Sequence, residues 1–580
     1  MPVVFLDNEA GQLFADLALG IAVAVTASLL IAVTVLPTAS ANWLRDVHDD
    51  DPHEKWWSRI TAGIMRLTST RLRRVSWIVL LIAIPITTSL LTIPSASYMP
   101  DGNRNLVFAF VLPPPGANIN TIENEMGQVI ADRMAPHLAG EASPAIQDYF
   151  FVAFGSGAFM GARAKDPART GEVVPLINGV LRSFPATIGI AFRASLFGGF
   201  GGGKINVDIQ GRDIESLLSV ATTGFGLIRQ HLPGSSVRPK PGLALDEPEL
   251  RLLPNERRIA EAGWDRETIA RIVRAFGDGL YIGDYFDGDK RLEMVLRATP
   301  WETPEELASL PMATPDAGIQ TLGELTHITR TAGPDKVRRI DRRRTITLEV
   351  TPPPNLSLEE SMDILRDKVG PVLTGMLPSD GVIQYAGAAE KLEEALESMG
   401  GTFLLAIAIL YLLMSALFRS FKDSLLVLVA IPLATVGSIL TLRLTDLLLG
   451  VIPPVFGYLP MSQPLDLLTM IGFVILLGLV VNNAILLVHQ TRAAERDGLS
   501  RKDAVEQAVR RRLRPILMST LTSIGGMLPL LVMPGAGSEL YRGMAAVIVG
   551  GMSVSTVFTL ILLPSLLRVG EDKHPATQAN

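Results

Sequence analysis

Seven stretches of this chain are apolar over the length a helix needs to cross a bilayer core of about 30 Å, roughly 20 residues. They run from Phe14 to Pro37, Val75 to Ile93, Thr402 to Phe418, Leu425 to Leu449, Leu467 to Val488, Ile516 to Met533 and Met544 to Leu567. Inside lipid every backbone N–H and C=O must find its partner within the segment, so runs of this kind fold as helices. Two of them precede, and five follow, a stretch from 95 to about 398 that has no such run and carries most of the charge. The chain therefore reads as a helical transmembrane bundle with a large water-exposed α+β domain, roughly 300 residues long, inserted between spans.

Orientation follows from Lys and Arg in the short connections. The connection 44–74 holds Arg45, Lys55, Arg59, Arg66, Arg71, Arg73 and Arg74, and 489–515 holds Arg492, Arg496, Arg501, Lys502, Arg510, Arg511, Arg512 and Arg514. Connection 451–464 has no Lys or Arg, and 534–543 has only Arg542. The basic connections and the tail 569–580 are expected on the cytoplasmic side, with the N-terminus and the inserted domain outside. No Lys or Arg precedes the first run, so it lacks the basic flank of a signal peptide. Within 44–74, Trp56, Trp57, Ile60, Ile64 and Leu67 recur at helical spacing with basic residues opposite, which predicts an amphipathic helix lying in the membrane interface.

Composition excludes several functions. The balance of 52 Lys+Arg against 58 Asp+Glu gives no argument for nucleic acid. There is no cysteine, hence no disulfide, thiolate metal site or Cys nucleophile, and the seven histidines lack zinc-ligand spacing. No nucleophile is paired with a base, so no enzyme is expected. FGGFGGGK (197–204) has no Ser or Thr after its Lys, and Lys204 opens a strand rather than a helix, so it reads as a linker and not a phosphate loop.

The inserted domain repeats itself. LVFAFVLPPPGANINTIENEMGQVI (106–130) and TITLEVTPPPNLSLEESMDILRDKV (345–369) share a β-rich run, a triple proline and an amphipathic helical pattern. In the second copy Ser357 and Glu360 have the spacing of a capping box. With KINVDIQGRDIESLLSVATTGFGLIRQHL (204–232) and GVIQYA (381–386), these units predict split βαβ subdomains with helices on one sheet face. ELRLLPNERRIAEAGWDRETIARIVRAFGDG (249–279) reads as a separate lobe, and Glu390 to Met399 as a helix running straight into the membrane.

Long stretches in this order resemble the C-terminal half of a resistance-nodulation-division (RND) efflux permease: RRRLRPILMSTLTSIGGMLPLL (510–531), GAGSELYRGMAAVIVGGMSVSTVFTLILLPSLL (535–567), ALFRSFKDSLLVLVAIPLATVG (416–437) and PELRLLPNERRIAEAGWDRETIARIV (248–273). The resemblance implies ferredoxin-like porter subdomains and a docking lobe. The expected division is a last first-half helix in 1–43, a cytoplasmic amphipathic linker in 44–74 and a spanning helix in 75–94. Porter subdomains follow in 95–240, a docking-like lobe in 241–340, more porter in 341–398, a five-helix bundle in 399–568 and the tail in 569–580. It further implies a proton-driven antiporter that exports small amphipathic compounds from a bacterial inner membrane. Its partners would be a first-half chain or a missing N-terminal half, a trimer of itself, a periplasmic adaptor and an outer-membrane channel. The proton gradient is the energy source and no cofactor is expected. The rival readings are a non-transporting half-permease acting as a subunit or scaffold, and a heavy-metal exporter, for which Met99, Met126, Met134 and Met160 offer thioethers suited to Cu(I).

The resemblance also singles out GLVVNNAILLV (478–488). The family commonly carries Lys where this chain has Asn482, reaching toward paired aspartates on a first-half helix; Arg512 and Ser519 match the basic residue and hydroxyl that complete the relay. Asn482, Asn483, Arg512 and Ser519 are therefore candidate neighbours of a proton-carrying acid, while the bland alternative is that the two amides, with Gly472, Gly478 and Ala484, hold helices together. The central portions of the seven runs contain no Asp or Glu; Arg443 and Asp446, three apart near one exit, can pair. FFVAFGSGAFMG (150–161) falls where the family has a gating loop, which makes Phe154, Phe159 and Met160 candidate substrate contacts, a buried hairpin being the alternative.

Overall fold

The computed structural model describes residues 9–43, 53–100, 102, 104–114, 117–154, 157–194, 203–243, 247–277, 279–333, 336–353, 356–455, 462–533 and 535–569. Residues 195–202 before Lys204, 456–461 of the 451–464 connection and the tail beyond 569 lie outside them. Among the described residues seven helices are long and apolar enough to cross a membrane: Ala18–Ala41, Arg71–Thr92, Ala388–Phe418, Phe421–Ile452, Leu467–Arg496, Arg501–Val532 and Gly537–Leu567. The Leu425–Leu449 run is interrupted: one helix covers Phe421–Leu428 and a second Ile431–Val455. Pro432 has no N–H to donate back to Leu428, and its ring crowds that carbonyl, so the break falls there. Glu390–Met399 continues into its span as one helix, Ala388–Phe418.

The last helix is the hub of the bundle, packing against the Arg71–Thr92, Ile431–Val455, Leu467–Arg496 and Arg501–Val532 helices. Glycines make this possible. A Cβ on Gly437 would sit 2.5 Å from Gly550 O, so the Ile431–Val455 and Ala536–Leu567 backbones meet almost directly. Ser438 on the former donates to Val547 O at 2.7 Å on the latter. Near the end of the Ile431–Val455 span Arg443 and Asp446 do not bond each other. Arg443 donates to Thr92 O and Ile93 O, and Asp446 accepts the Gln463 N–H, because the backbone groups left open where spans end are nearer partners.

Two compact units divide the chain: Met1–Pro113, Ile119–Lys240 and Ile340–Asn580 form one, Pro114–Asn118 and Pro241–Arg339 the other. Two antiparallel sheets belong to the first unit. Ile146–Phe154, Gly157–Ala164, Val107–Leu112 and Ile188–Arg193 lie side by side in that order. In the second sheet the order is Ser236–Lys240, Arg343–Thr351, Ile205–Gly211, Val382–Gly387, with the short Arg339–Ile340 strand on the same edge as Ser236–Lys240. Numbered within each unit, both run 2-3-1-4 with a helix after the first and third strands, which is a split βαβ topology. The Ser357–Glu360 capping box forms.

The second unit pairs Glu247–Pro254 with Thr326–Gly333 and packs Ile259, Ile269, Leu307, Met312, Leu322 and Leu325 into a core. Its helices Glu256–Glu261 and Arg266–Phe276 are capped by Asn255 and Asp265. A hairpin of Leu280–Asp287 and Lys290–Leu296 is largely exposed.

Candidate functional site

The two amides at the middle of the Leu467–Arg496 helix have different surroundings. Asn483 is buried: its Nδ2 donates to Thr520 Oγ1 at 3.2 Å, and its Oδ1 receives a longer contact from Ser519 Oγ at 3.4 Å. Thr520 Oγ1 in turn lies 3.0 Å from Thr556 Oγ1. Three helices are thus joined at membrane depth by neutral polar side chains that satisfy one another, the condition for tolerating them there. Beside this chain of groups a cavity lined by Asn483, Ser555, Thr556 and Thr559 has about 10 Å³ for a water centre, enough for one molecule.

Asn482 lies about 100° further round the helix. It is exposed, as is Gly478 one turn earlier, and among the described residues no hydrogen bond reaches it. Arg512 donates to Gln490 Oε1 at 3.1 Å, two turns from Asn483, and its buried Nε has no partner among the described residues. Of the four residues read as relay neighbours, the structure brings Asn483 and Ser519 together and holds Asn482 and Arg512 apart from them. Thr520 and Thr556 escaped the sequence reading; the signal was the adjacent hydroxyls of MSTLTS (518–523) and SVST (553–556). Of the small residues, Gly472 and Ala484 are packed while Gly478 faces open space.

Residues 150–154 and 157–161 are paired strands, as the hairpin alternative expects, and the two-residue alternation decides each side chain's place. Met160 points into the core beneath the sheet, only 1% exposed, and so does not reach the surface where a substrate would lie. Met126 and Met134 share that core, which removes three of the four methionines read as a thioether path. Phe159 faces the other way with Phe108, Phe110 and Phe192, ring centroids 5.1 Å from each of the first two. Register explains the platform: Phe192, Phe108, Gly161 and Phe150 form one row across the four strands, and Ile190, Phe110, Phe159 and Val152 the next. Gly161 makes room, since a Cβ there would meet the Phe150 ring at 2.5 Å. Phe150, Val152 and Phe154 leave the platform's outer part open.

Its inner part meets charges from the second sheet, a cluster that sequence reading missed because strand pairing alone assembles it. Arg238 stacks 3.7 Å above Phe110, and Lys204 Nζ is 4.8 Å from the Phe192 centroid. Glu349 accepts from Lys240 at 2.5 Å and lies 3.8 Å from Lys204. Phe110, Phe192, Lys204, Arg238 and Glu349 line a cleft between the two sheets. Burial pushes the Lys204 ammonium and the Arg238 guanidinium below their ordinary values, against the opposing pull of Glu349.

Helices long and apolar enough to span a membrane, joined by neutral polar groups midway along them, with paired βαβ domains between them, define a multi-span membrane-protein fold. The model of the AcrB/AcrD/AcrF family matches residues 1–165 and 169–570, and the chain belongs to that family, the RND efflux transporters. Among solved structures it is similar to two crystal forms of a heavy metal efflux pump, with TM-scores of 0.77 and 0.76 at 19% and 20% identity. The alignments cover 98% of this chain but 56% and 57% of those chains, so it spans a little over half their length. At this identity the likeness speaks for the fold.

Proposed function

We propose that this chain is the second half of a proton-coupled RND exporter of the bacterial inner membrane, with residues 95–398 in the periplasm. The observation that carries the reading is Asn482. An amide at mid-span with no hydrogen bond costs about 1–3 kcal/mol unless something partners it. Gly478 beside it lets another helix approach closely. A segment bearing a carboxylate that docks on this face would place its acid against Asn482, with Asn483, Ser519, Thr520 and Thr556 as the hydroxyl and amide framework behind. The acid carries the proton; the amides orient it, since neither can ionise.

Small amphipathic compounds are the substrates this reading favours. The open aromatic face of Phe150, Val152 and Phe154 supplies apolar contact, and the Lys204–Arg238–Glu349 cleft beside it supplies polar anchors. Heavy metal, the cargo of the similar pump, gains no support here from Met126, Met134 and Met160, which the core consumes. A trimer, a periplasmic adaptor and an outer-membrane channel complete the assembly. Co-expression with a first-half chain carrying intramembrane aspartates tests the proposal: dye efflux should appear and fall at least tenfold in Asn482→Leu. Unchanged efflux in that variant, at equal protein level, refutes the role of this face.

A further inference from the structure

We propose that the Glu54–Leu67 helix is a docking surface for anionic phospholipid headgroups at the cytoplasmic rim of the bundle. The inference is independent of transport and rests on how the helix is divided lengthwise. One face is spent on protein: Thr61, Ile64 and Met65 are buried, and Trp57 and Ile60 pack on the same core. The sequence pattern alone would have put Trp56 and Leu67 on that face, but the structure leaves them out, 54% and 40% exposed. At about 100° per residue, Trp56, Gly63 and Leu67 form an exposed apolar flank, and Lys55, Arg59 and Arg66 an exposed basic stripe next to it. At the start of the next helix Leu72 is 81% exposed, between the exposed Arg71 and Arg73 in sequence.

Apolar flank and cationic stripe side by side match the two parts of a phospholipid at the level where they meet, an acyl boundary and a phosphate. The charge is one-sided. Glu54 is the one acidic residue among the described positions 53–74, and Arg510 already holds it at 2.6 Å. The surface is also fixed in place, which a headgroup site needs. Buried Arg74 donates to Thr68 O, Ser69 O and Arg568 O, and Arg568 donates to Thr68 O, tying the turn after the helix to the end of the last span. These bonds occupy Arg74, so the stripe that remains free for lipid is Lys55, Arg59, Arg66 and Arg71.

The test uses the full purified chain in nanodiscs made with phosphatidylcholine alone or with phosphatidylglycerol added. Native mass spectrometry should find phosphatidylglycerol retained over phosphatidylcholine. Each basic residue near an anionic surface is worth about 1 kcal/mol, so Arg59→Gln with Arg66→Gln should cut that preference about 30-fold by the conversion of 1.4 kcal/mol per tenfold. Arg257→Gln, on an exposed cation of the other unit, should leave it unchanged. Brominated acyl chains should quench the fraction of emission that Trp56→Phe removes. Absence of a phosphatidylglycerol preference in the wild-type chain overturns the proposal whatever the variants do. So does a preference that survives the double substitution, or a Trp56 that lipid does not quench, which would mean that a protein segment covers this flank.

Discussion

Replacing Gly550 by Ala should destabilise the bundle, and the structure gives both sign and size. A Cβ at this position would collide with the Thr441 side chain and lie 2.5 Å from Gly437 O. Thr441 can rotate away, but the Gly437 carbonyl belongs to the helix backbone, so relief requires the two helices to part. Overpacking of this kind costs about 1–3 kcal/mol. Separation also stretches the Ser438-to-Val547 hydrogen bond, 2.7 Å here, one of a class worth about 0.6 kcal/mol on average in membranes. Against this, Ala gains about 0.5–1 kcal/mol over Gly in a helix. The net expectation is a loss of about 1–3 kcal/mol, read as a lower detergent-denaturation midpoint of the purified chain in mixed micelles. Gly401→Ala is the control, because nothing lies within 4 Å of its Cβ and only the propensity gain remains. A Gly550→Ala protein as stable as the wild type would refute the claim that the backbones of these helices are in contact.

In the same assay Asn483→Leu should cost about 1 kcal/mol by removing the bond to Thr520 and the contact from Ser519, while Asn482→Leu, which breaks no bond, should leave the isolated chain as stable or more so. The reverse order would show that the two amides are misassigned. Beyond the Arg71–Thr92 span the Glu359 carboxylate accepts the Ala96 N–H at 2.6 Å and Ala96 O accepts the Glu359 N–H, while Ser97 N donates to Leu465 O just before the asparagine-bearing helix. Glu359→Ala should therefore raise hydrogen exchange about tenfold at 96–98 and 465–467, a loss of about 1.5 kcal/mol; exchange confined to the Leu358–Ile364 helix would disprove this linkage. Bonds from Thr268 hold the Asp265 carboxyl below its ordinary value of 3.8. Its contribution to the 241–339 unit is present above that value and is lost as pH falls through the lowered one. Trp264 and Trp301 fluorescence should report a shallower acid unfolding profile in Asp265→Asn, and an identical profile would show that the cap is energetically silent.

What could be read from the chain sorts by the range of the interactions concerned. The spans, the Ser357–Glu360 cap and the repeated strand–helix units rest on neighbours within a few residues, and the pattern of side chains carries them directly. The membership of each strand face needed only the period of two; the hairpin alternative for 150–161 carries it, and it puts Met160 in the core and Phe159 on the opposite face. The Arg238–Phe110 stack and the Asn483–Thr520–Thr556 chain join residues from 36 to 128 positions apart, and no local pattern announces them. The amides show the limit most clearly. Adjacent in sequence, Asn482 and Asn483 are about 100° apart on a helix, so one must face its own bundle when the other faces away. Which one does so depends on where the last two helices lie, and Gly437, Gly550 and Gly472, whose missing side chains let the last helix close in on the Ile431–Val455 and Leu467–Arg496 helices, fix the position of one of them. Asn482 is the amide left exposed, and residues far from it in sequence, Thr520 and Thr556 among them, take up Asn483.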